Sequence, residues 1–252
     1  MSIPQFQNIF YPNDKPRFDS FLPDVLDGDR ESRIVIMPHA SLEFINELIA
    51  ESLNHLKPSK KFLILAPTHS TNLVAGIYDT AQESFNSVYG PVKLGSFDEI
   101  MTKDEDVDRE YTFELVINAL AKYYPDATFY PVLCAANSKK DLFTLKSLIS
   151  SSIFDGFSII VSGNLTASAT KAEIDRAATL LTDMLSKREP LLDMIRRGHI
   201  TSCMAYILEA LSVIPEPITF TKYKCGTYTG RTLDTNKGDG SIWFASGKFN
   251  NR

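Results

Sequence analysis

The sequence predicts an α/β fold, a three-layer α/β/α sandwich around a central, mostly parallel sheet. Two observations carry that prediction. Short apolar runs alternate along the chain with longer stretches of helical spacing, and runs such as Ser158-Ile-Ile-Val161 show no polar alternation. A strand apolar at every position is covered on both faces, so helices must lie above and below the sheet. A third observation is size: 252 residues with 44% apolar content bury a full core and fit one large domain over residues 31–252.

Residues 1–30 are rich in Pro, Asp and Phe without periodicity and read as an irregular arm wrapping the surface. The core begins with a strand over 33–37. A helix from about Ser41 to Leu56 follows, with Leu42, Ile45, Leu48, Ile49 and Leu53 on one face and Ser41 at its N-cap. The next strand, 62–66, completes a β-α-β unit whose strands should be parallel and whose crossover should be right-handed. Short strands are expected around 76–78 and 92–95, then a helix over 113–124, a strand over 128–133, a helix over 139–151 and a strand over 158–162. A helix over 171–186, a short helix over 190–197 and an amphipathic helix over 200–211 come next. The tail returns to strand at 218–224 and 241–247, across a Gly- and Asp-rich loop.

A net charge of -5 with no long basic block argues against a nucleic-acid surface or an anionic membrane patch. No apolar run approaches the ~18 residues needed to span a bilayer, and Met1-Ser2-Ile3-Pro4-Gln5 lacks a basic stretch followed by an apolar core, so the chain reads as cytoplasmic. Cys134, Cys203 and Cys225 are too few and too scattered for a disulfide framework or a CxxC zinc site, which leaves reduced thiols. Gly163 has no G-x-G-x-x-G or G-K-[ST] around it, and G-x-S-x-G is absent, so neither a phosphate cradle nor a serine nucleophile is indicated.

The histidines are the informative residues. His39 closes the first strand and His69 the second, each shortly after a proline, while His199 opens a later helix. Neutral imidazole is the commonest protein ligand for iron, copper and zinc, and two ligands at the carboxyl ends of neighbouring strands project into one crevice. A histidine at a strand end can equally cap a helix or bond a carbonyl. The fourth, His55, lies just before a helix stop and reads as surface.

Pro38-His39-Ala40 and Leu65-Ala66-Pro67-Thr68-His69 resemble the opening motifs of the Memo family, also called AmmeMemoRadiSam system protein B, which shows Pro-His-Ala-Gly and then Gly-Pro-Ser-His at this separation. Tyr78 with Tyr89-Gly-Pro-Val-Lys-Leu-Gly95, Phe129-Tyr-Pro-Val-Leu133 and Asp239-Gly-Ser-Ile-Trp-Phe-Ala-Ser-Gly247 resemble further segments of it, so the likeness runs from about 33 to 249. The resemblance implies the fold of the class III extradiol dioxygenases, which hold non-haem Fe(II) in a pocket at strand ends. It also implies a metal site of two histidines and one cysteine.

His39 and His69 match the two histidines. The family's cysteine precedes a glycine and a helix that resembles Met204–Leu211; aligning the helices puts His199 at the ligand position, with Cys203, one helical turn later, as the alternative. A histidine there would harden the site, favouring Fe(II), with Zn or Cu as other candidates, and disfavouring copper(I).

Other family positions are changed. The Ser-Ser-Asp-x-x-His segment corresponds to Ser162-Gly-Asn-Leu-Thr-Ala167, where the acid and the histidine are gone. The Glu-His-Ser-x-Glu-x-His segment corresponds to Glu110-Tyr-Thr-Phe-Glu-Leu-Val116, which keeps both glutamates and neither histidine. Candidate catalytic groups are therefore Tyr111, a hydrogen-bond donor or simply an aromatic filling an imidazole's volume, Glu110, which can bond a ligand histidine's second nitrogen, and Asn164, which can orient a water or substrate oxygen or serve as a turn residue. Glu114 reads as solvated. What the resemblance implies is a metal-binding protein, either a non-haem iron-dependent dioxygenase-type oxidoreductase acting on a small aromatic substrate or a non-catalytic protein that binds a small molecule or peptide in the same crevice. As partner proteins it implies a radical-SAM enzyme and an AMMECR-type protein.

Overall fold

The computed structural model describes residues 2–69, 73–97, 101–136, 138–168, 170–228, 233–234 and 240–249. Asp239, in the closing motif, and most of the Gly- and Asp-rich loop before it lie outside the described residues. In chain order the elements are α1 (Lys15–Asp19), β1 (Ile34–Met37), α2 (Leu42–His55), β2 (Lys61–Pro67), β3 (Gly76–Thr80), β4 (Ser84–Ser87), β5 (Gly90–Leu94), β6 (Thr102–Asp104), α3 (Tyr111–Tyr123), β7 (Thr128–Ala135), α4 (Lys139–Phe154) and β8 (Ser158–Ser162). They continue with β9 (Thr166–Ser168), α5 (Lys171–Lys187), α6 (Leu192–Arg196), α7 (Ala205–Ala210), β10 (Ile218–Tyr228), β11 (Leu233–Asp234) and β12 (Gly240–Phe249).

One sheet organises the chain, in the order β11-β10-β12-β1-β8-β2-β7-β3-β6. Its centre, β1-β8-β2-β7, is parallel, while β12 joins β1 and β3 joins β7 antiparallel. The period-2 alternation of strand side chains splits the core in two. Val35, Met37, Phe62, Ile64 and Ile160 pack with α2 and α3, whereas Ile34, Ile36, Leu63, Leu65, Ile159 and Val161 pack with α4, α5 and α7 on the other face. That is the α/β/α sandwich, with the parallel strands buried on both sides.

Helices α1, α4 and α5 begin on side-chain caps, with Asp14 accepting from Arg17 N at the first of them. Ser138 and Asp141 form a reciprocal capping box on α4, and Thr170 accepts from Glu173 N at the start of α5. Ser41 holds the N-cap position of α2 without a side-chain capping bond. The arm at 1–30 contains α1 and buries Tyr11, Phe18, Leu22 and Leu26. It is tied down by Glu114 of α3, whose carboxylate accepts from Gln5 N, Phe6 N and the Tyr11 hydroxyl. Glu114 is thus buried rather than solvated; burial raises its pKa, and the bonds it accepts pull the other way.

Two sequence expectations need correction. Strands β1 and β2 are not neighbours, because β8 lies between them and pairs with both. The stretch expected to be helical over 200–211 is helical only in α7, from Ala205. Apolar spacing is outvoted there by tertiary hydrogen bonds: the Thr201 hydroxyl bonds Thr166 Oγ1 at 2.7 Å, and Ser202 Oγ donates to Asn164 O at 2.8 Å. No helix among the described residues is long and apolar enough to cross a membrane.

Candidate metal centre

The site forms where the parallel strands end. Beyond β1 and β2 the chain leaves through Pro38 and Pro67, neither of which can donate a ladder hydrogen bond. The next turns carry His39 and His69. With strands about 4.8 Å apart, the ends of β1 and β2 are separated by roughly two strand spacings, and the two side chains reach back over the end of β8. Their rings meet at 4.6 Å between centroids, nearly perpendicular at 85°.

A third group arrives from the turn before α7. Its approach depends on Gly163, just past β8: a Cβ there would lie 2.6 Å from the Cβ of Met204, so any larger residue would push the 203–204 turn away. Cys203 Sγ consequently sits 3.7 Å from His39 Nε2, accepts from Asn164 N at 3.1 Å and hydrogen bonds to His69. One ligating atom each from His39, His69 and Cys203 lie within 4.8 Å of one another. Metal–sulfur and metal–nitrogen bonds of about 2.3 and 2.1 Å at a tetrahedral angle place S and N about 3.6 Å apart. The 3.7 Å separation matches, and the three residues could hold a divalent metal.

One buried carboxylate orients both imidazoles. Glu110, the N-cap residue of α3 and 0% exposed, accepts from His69 N at 2.8 Å through Oε2, and its Oε1 lies 3.5 Å from His69 Nδ1. Oε1 also accepts from Thr112 Oγ1 at 3.3 Å, and that hydroxyl lies 3.2 Å from His39 Nδ1, with Ser162 Oγ at 3.4 Å. When His39 Nε2 faces a metal, Nδ1–H donates to one of these hydroxyls, which fixes the tautomer.

The two histidines differ electrostatically. His39 is buried, and burial followed by repulsion from His69 pushes its pKa well below the usual imidazole value. His69 and Cys203 are exposed. Partial burial alone would lower the His69 pKa, but hydrogen bonds and charge from Cys203 and Glu110 outweigh it and push it up to about 9. Tyr111 stands against both rings, 5.5 and 5.6 Å away, and stacks at 4.2 Å on Phe10 of the arm. Burial, then the nearby Glu110 and Cys203 charges, raises its hydroxyl far above the usual range, making it a donor rather than a base.

The Memo-like protein family model matches residues 4–167, well over half of the chain. The chain belongs to the Memo-like family. A solved structure of an uncharacterized protein from Escherichia coli K12 aligns with a TM-score of 0.45 and 11% identity, covering 84% of this chain and 98% of that one. No curated protein matches the chain.

In this Memo-like chain the structure brings together His39, His69, Cys203, Glu110, Tyr111 and Asn164. It sets His199 apart. His199 is exposed in the turn closing α6, where Gly198 takes a positive φ of 73° and His199 N donates to Met194 O. That tight closure keeps the imidazole out of the group, and Cys203 takes the place expected of it. Asn164 Oδ1 is buried beside Cys203 without a hydrogen-bond partner among the described residues. His55 is remote, bonded to Asp29 and Glu51. Sequence reasoning missed Thr112 and Ser162; both lie inside motifs that drew notice for other residues, and a hydroxyl carries no spacing signal of its own.

Proposed function

We propose that the protein binds one divalent transition metal through His39, His69 and Cys203 and uses it in oxidative chemistry on a small, largely apolar aromatic molecule. The observation that carries this reading is a three-residue donor set, one member of which, Cys203, lines a cavity. About 360 Å³ in volume, the cavity is lined by Pro67, Leu73, Ala75, Ala135 and Ala136, with Thr68, Cys134 and Cys203 as its polar members. Three protein ligands with an open side are the pattern of a working rather than a purely structural centre. The lining carries no charged side chain, which suits an uncharged molecule of modest size.

Two imidazoles and a thiolate suit iron, zinc and copper, and the thiolate removes the bias against copper(I). Fe(II) remains our first candidate because it would supply dioxygen activation. Each protein group has a distinct task. Glu110 holds the imidazoles in register, directly at His69 and through Thr112 at His39. Tyr111 offers a hydroxyl donor and, with Phe10, helps cover the buried His39. Asn164 supports Cys203, its backbone N–H donating to the sulfur.

A second reading has its own support. Glu110 is engaged with both histidines and Asn164 cannot take a proton, so the site lacks an evident base; the same crevice would then bind a small molecule or peptide without turning it over. A radical-SAM enzyme and an AMMECR-type protein stay proposed as partners on the strength of the family resemblance. Elemental analysis of anaerobically purified protein, followed by oxygen uptake with catechols, separates the readings. We expect about one equivalent of metal. Oxygen uptake supports the enzyme, its absence from a metal-loaded protein supports the binding reading, and failure to take up Fe(II), Zn(II) or copper sinks the enzyme and leaves the binding reading.

A further inference from the structure

A second recess lies away from the metal centre, between α5 and the β10–β12 ribbon, with a volume of about 600 Å³. Its helical wall is one stripe of α5, Asp175, Ala178, Thr179 and Thr182, spaced i, i+3, i+4, i+7. These side chains are short, which leaves the space open. The opposite wall is aromatic. Tyr223 of β10 is a diagonal neighbour of Trp243 of β12, because Trp243 pairs with Cys225. The two rings stand at 87° with centroids 6.1 Å apart, forming a corner.

Both rings face the helix. The Trp243 indole N–H donates to Asp175 Oδ1 at 2.7 Å, which fixes that ring, and Thr182 lies beside the Tyr223 hydroxyl. A carboxylate on the indole N–H pushes electron density into the ring, strengthening the attraction of its face for a cation. Tyr223 is 44% exposed and stands edge-on to the anchored Trp243 ring. The charged residues in the lining are Asp175 and Asp183, both acidic. The ion pair of Asp183 with Lys187 is exposed on both sides and contributes little, so it does not compete strongly with a bound cation.

We infer that this groove is a binding site for a small, soluble alkylated ammonium ion, seated in the Tyr223–Trp243 corner with Asp175 and Asp183 as its negative surroundings. An aromatic corner with carboxylates matches that chemistry: the rings take the methyl groups without demanding hydrogen-bond donors, and the acids supply the charge. A neutral apolar ligand would use the rings but gain nothing from the acids. An anion would meet two carboxylates. The site uses none of the metal-binding residues, so it stands or falls separately from the metal reading.

Trp243 is the chain's one tryptophan, and its emission therefore reports on this groove alone. The test is a fluorescence titration of the full-length, chelator-treated protein with choline and with 3,3-dimethylbutan-1-ol, its uncharged isostere. A saturable change with choline, and binding of the alcohol at least tenfold weaker, is expected. Tyr223→Ala should weaken choline at least fivefold and Asp175→Asn should also weaken it, with unchanged circular dichroism. No saturable change at millimolar choline, equal binding of the alcohol, or full affinity in folded Tyr223→Ala protein would each overturn the inference.

Discussion

The family-matched part of the chain, residues 4–167, and the remainder beyond it build the candidate metal centre in different ways. The first supplies His39 and His69 from the ends of parallel strands, positions dictated by the sheet. The second supplies Cys203 from a turn, positioned by side-chain bonds and by the absence of a side chain at Gly163. A ligand at a strand end follows from the strand, and the strand from its apolar run. A ligand in a turn follows from contacts between residues far apart in sequence, which leave no periodicity behind.

Removing Cys203 is the most direct way to break this comparison. Site formation of about 10–16 kcal/mol shared among three ligands corresponds to a loss on the order of 10²- to 10⁴-fold in metal affinity for each one removed. Cys203→Ala should lose that much in competition with a chromophoric chelator, and Co(II)-loaded protein should lose its thiolate charge-transfer absorption. Because Cys203 is exposed, the fold should be unchanged by circular dichroism. His39→Ala should lose metal equally but also stability, its site being 1% exposed. Wild-type affinity in Cys203→Ala would return the third position to another residue.

Titration sharpens the same contrast. A metal binds deprotonated imidazole, so the proton that His69 keeps up to about pH 9 competes with it. Metal affinity should therefore climb between pH 7 and 9, by about 100-fold for a full two-unit offset, and then level off. Stability of the metal-free protein follows the opposite signs of the two shifts. His39 is depressed, so the unfolded chain takes the proton first, and its contribution is lost as pH falls below about 6.5. His69 is raised, so its contribution is full below about 6.5 and fades as pH rises through about 9. An affinity flat from pH 7 to 9 would contradict the Cys203 and Glu110 contacts that raise His69.

Glu110→Gln probes the tie between the two histidines. Loss of a carboxylate that orients ligating imidazoles typically costs 10- to 100-fold in metal affinity. The amide should also move the affinity plateau to lower pH, since Glu110 is one of the groups raising His69. Isothermal titration with Zn(II) at two pH values reads both. An unchanged plateau would mean that Cys203 alone sets the His69 proton.

Much of this was legible in the sequence, for identifiable reasons. Continuous apolar runs gave β1, β2 and β8, and 3.6-residue spacing gave α2 and α5 almost to the residue. Strand order was not legible: nothing local in Ser158–Ser162 says that it inserts between β1 and β2, because parallel order is set by which buried faces fit. Ile200 and Met204, followed by Ile207 and Leu208, mimic a helical stripe, and only the bonds from Thr201 and Ser202 to the 164–167 segment show why the helix starts late. That displacement carried the third ligand position from Cys203 to His199. Gly163 was visible as an isolated glycine, yet its use appears only once Met204 is seen against it.

The smallest expected effect tests that displacement from the other side. His199 is exposed, and the interaction that fixes its place is a backbone bond, His199 N to Met194 O, which alanine retains. His199→Ala should leave metal stoichiometry, affinity and the Co(II)–thiolate absorption within error of wild type, and change stability by no more than about 0.5 kcal/mol. Gly198 and its positive φ, rather than the imidazole, close the turn after α6. A clear loss of metal in His199→Ala would require the α6–α7 turn to refold on metal binding, carrying the imidazole to the strand ends. The division between strand-built and turn-built ligands would then become a division between a fixed half of the site and a half assembled by the metal itself.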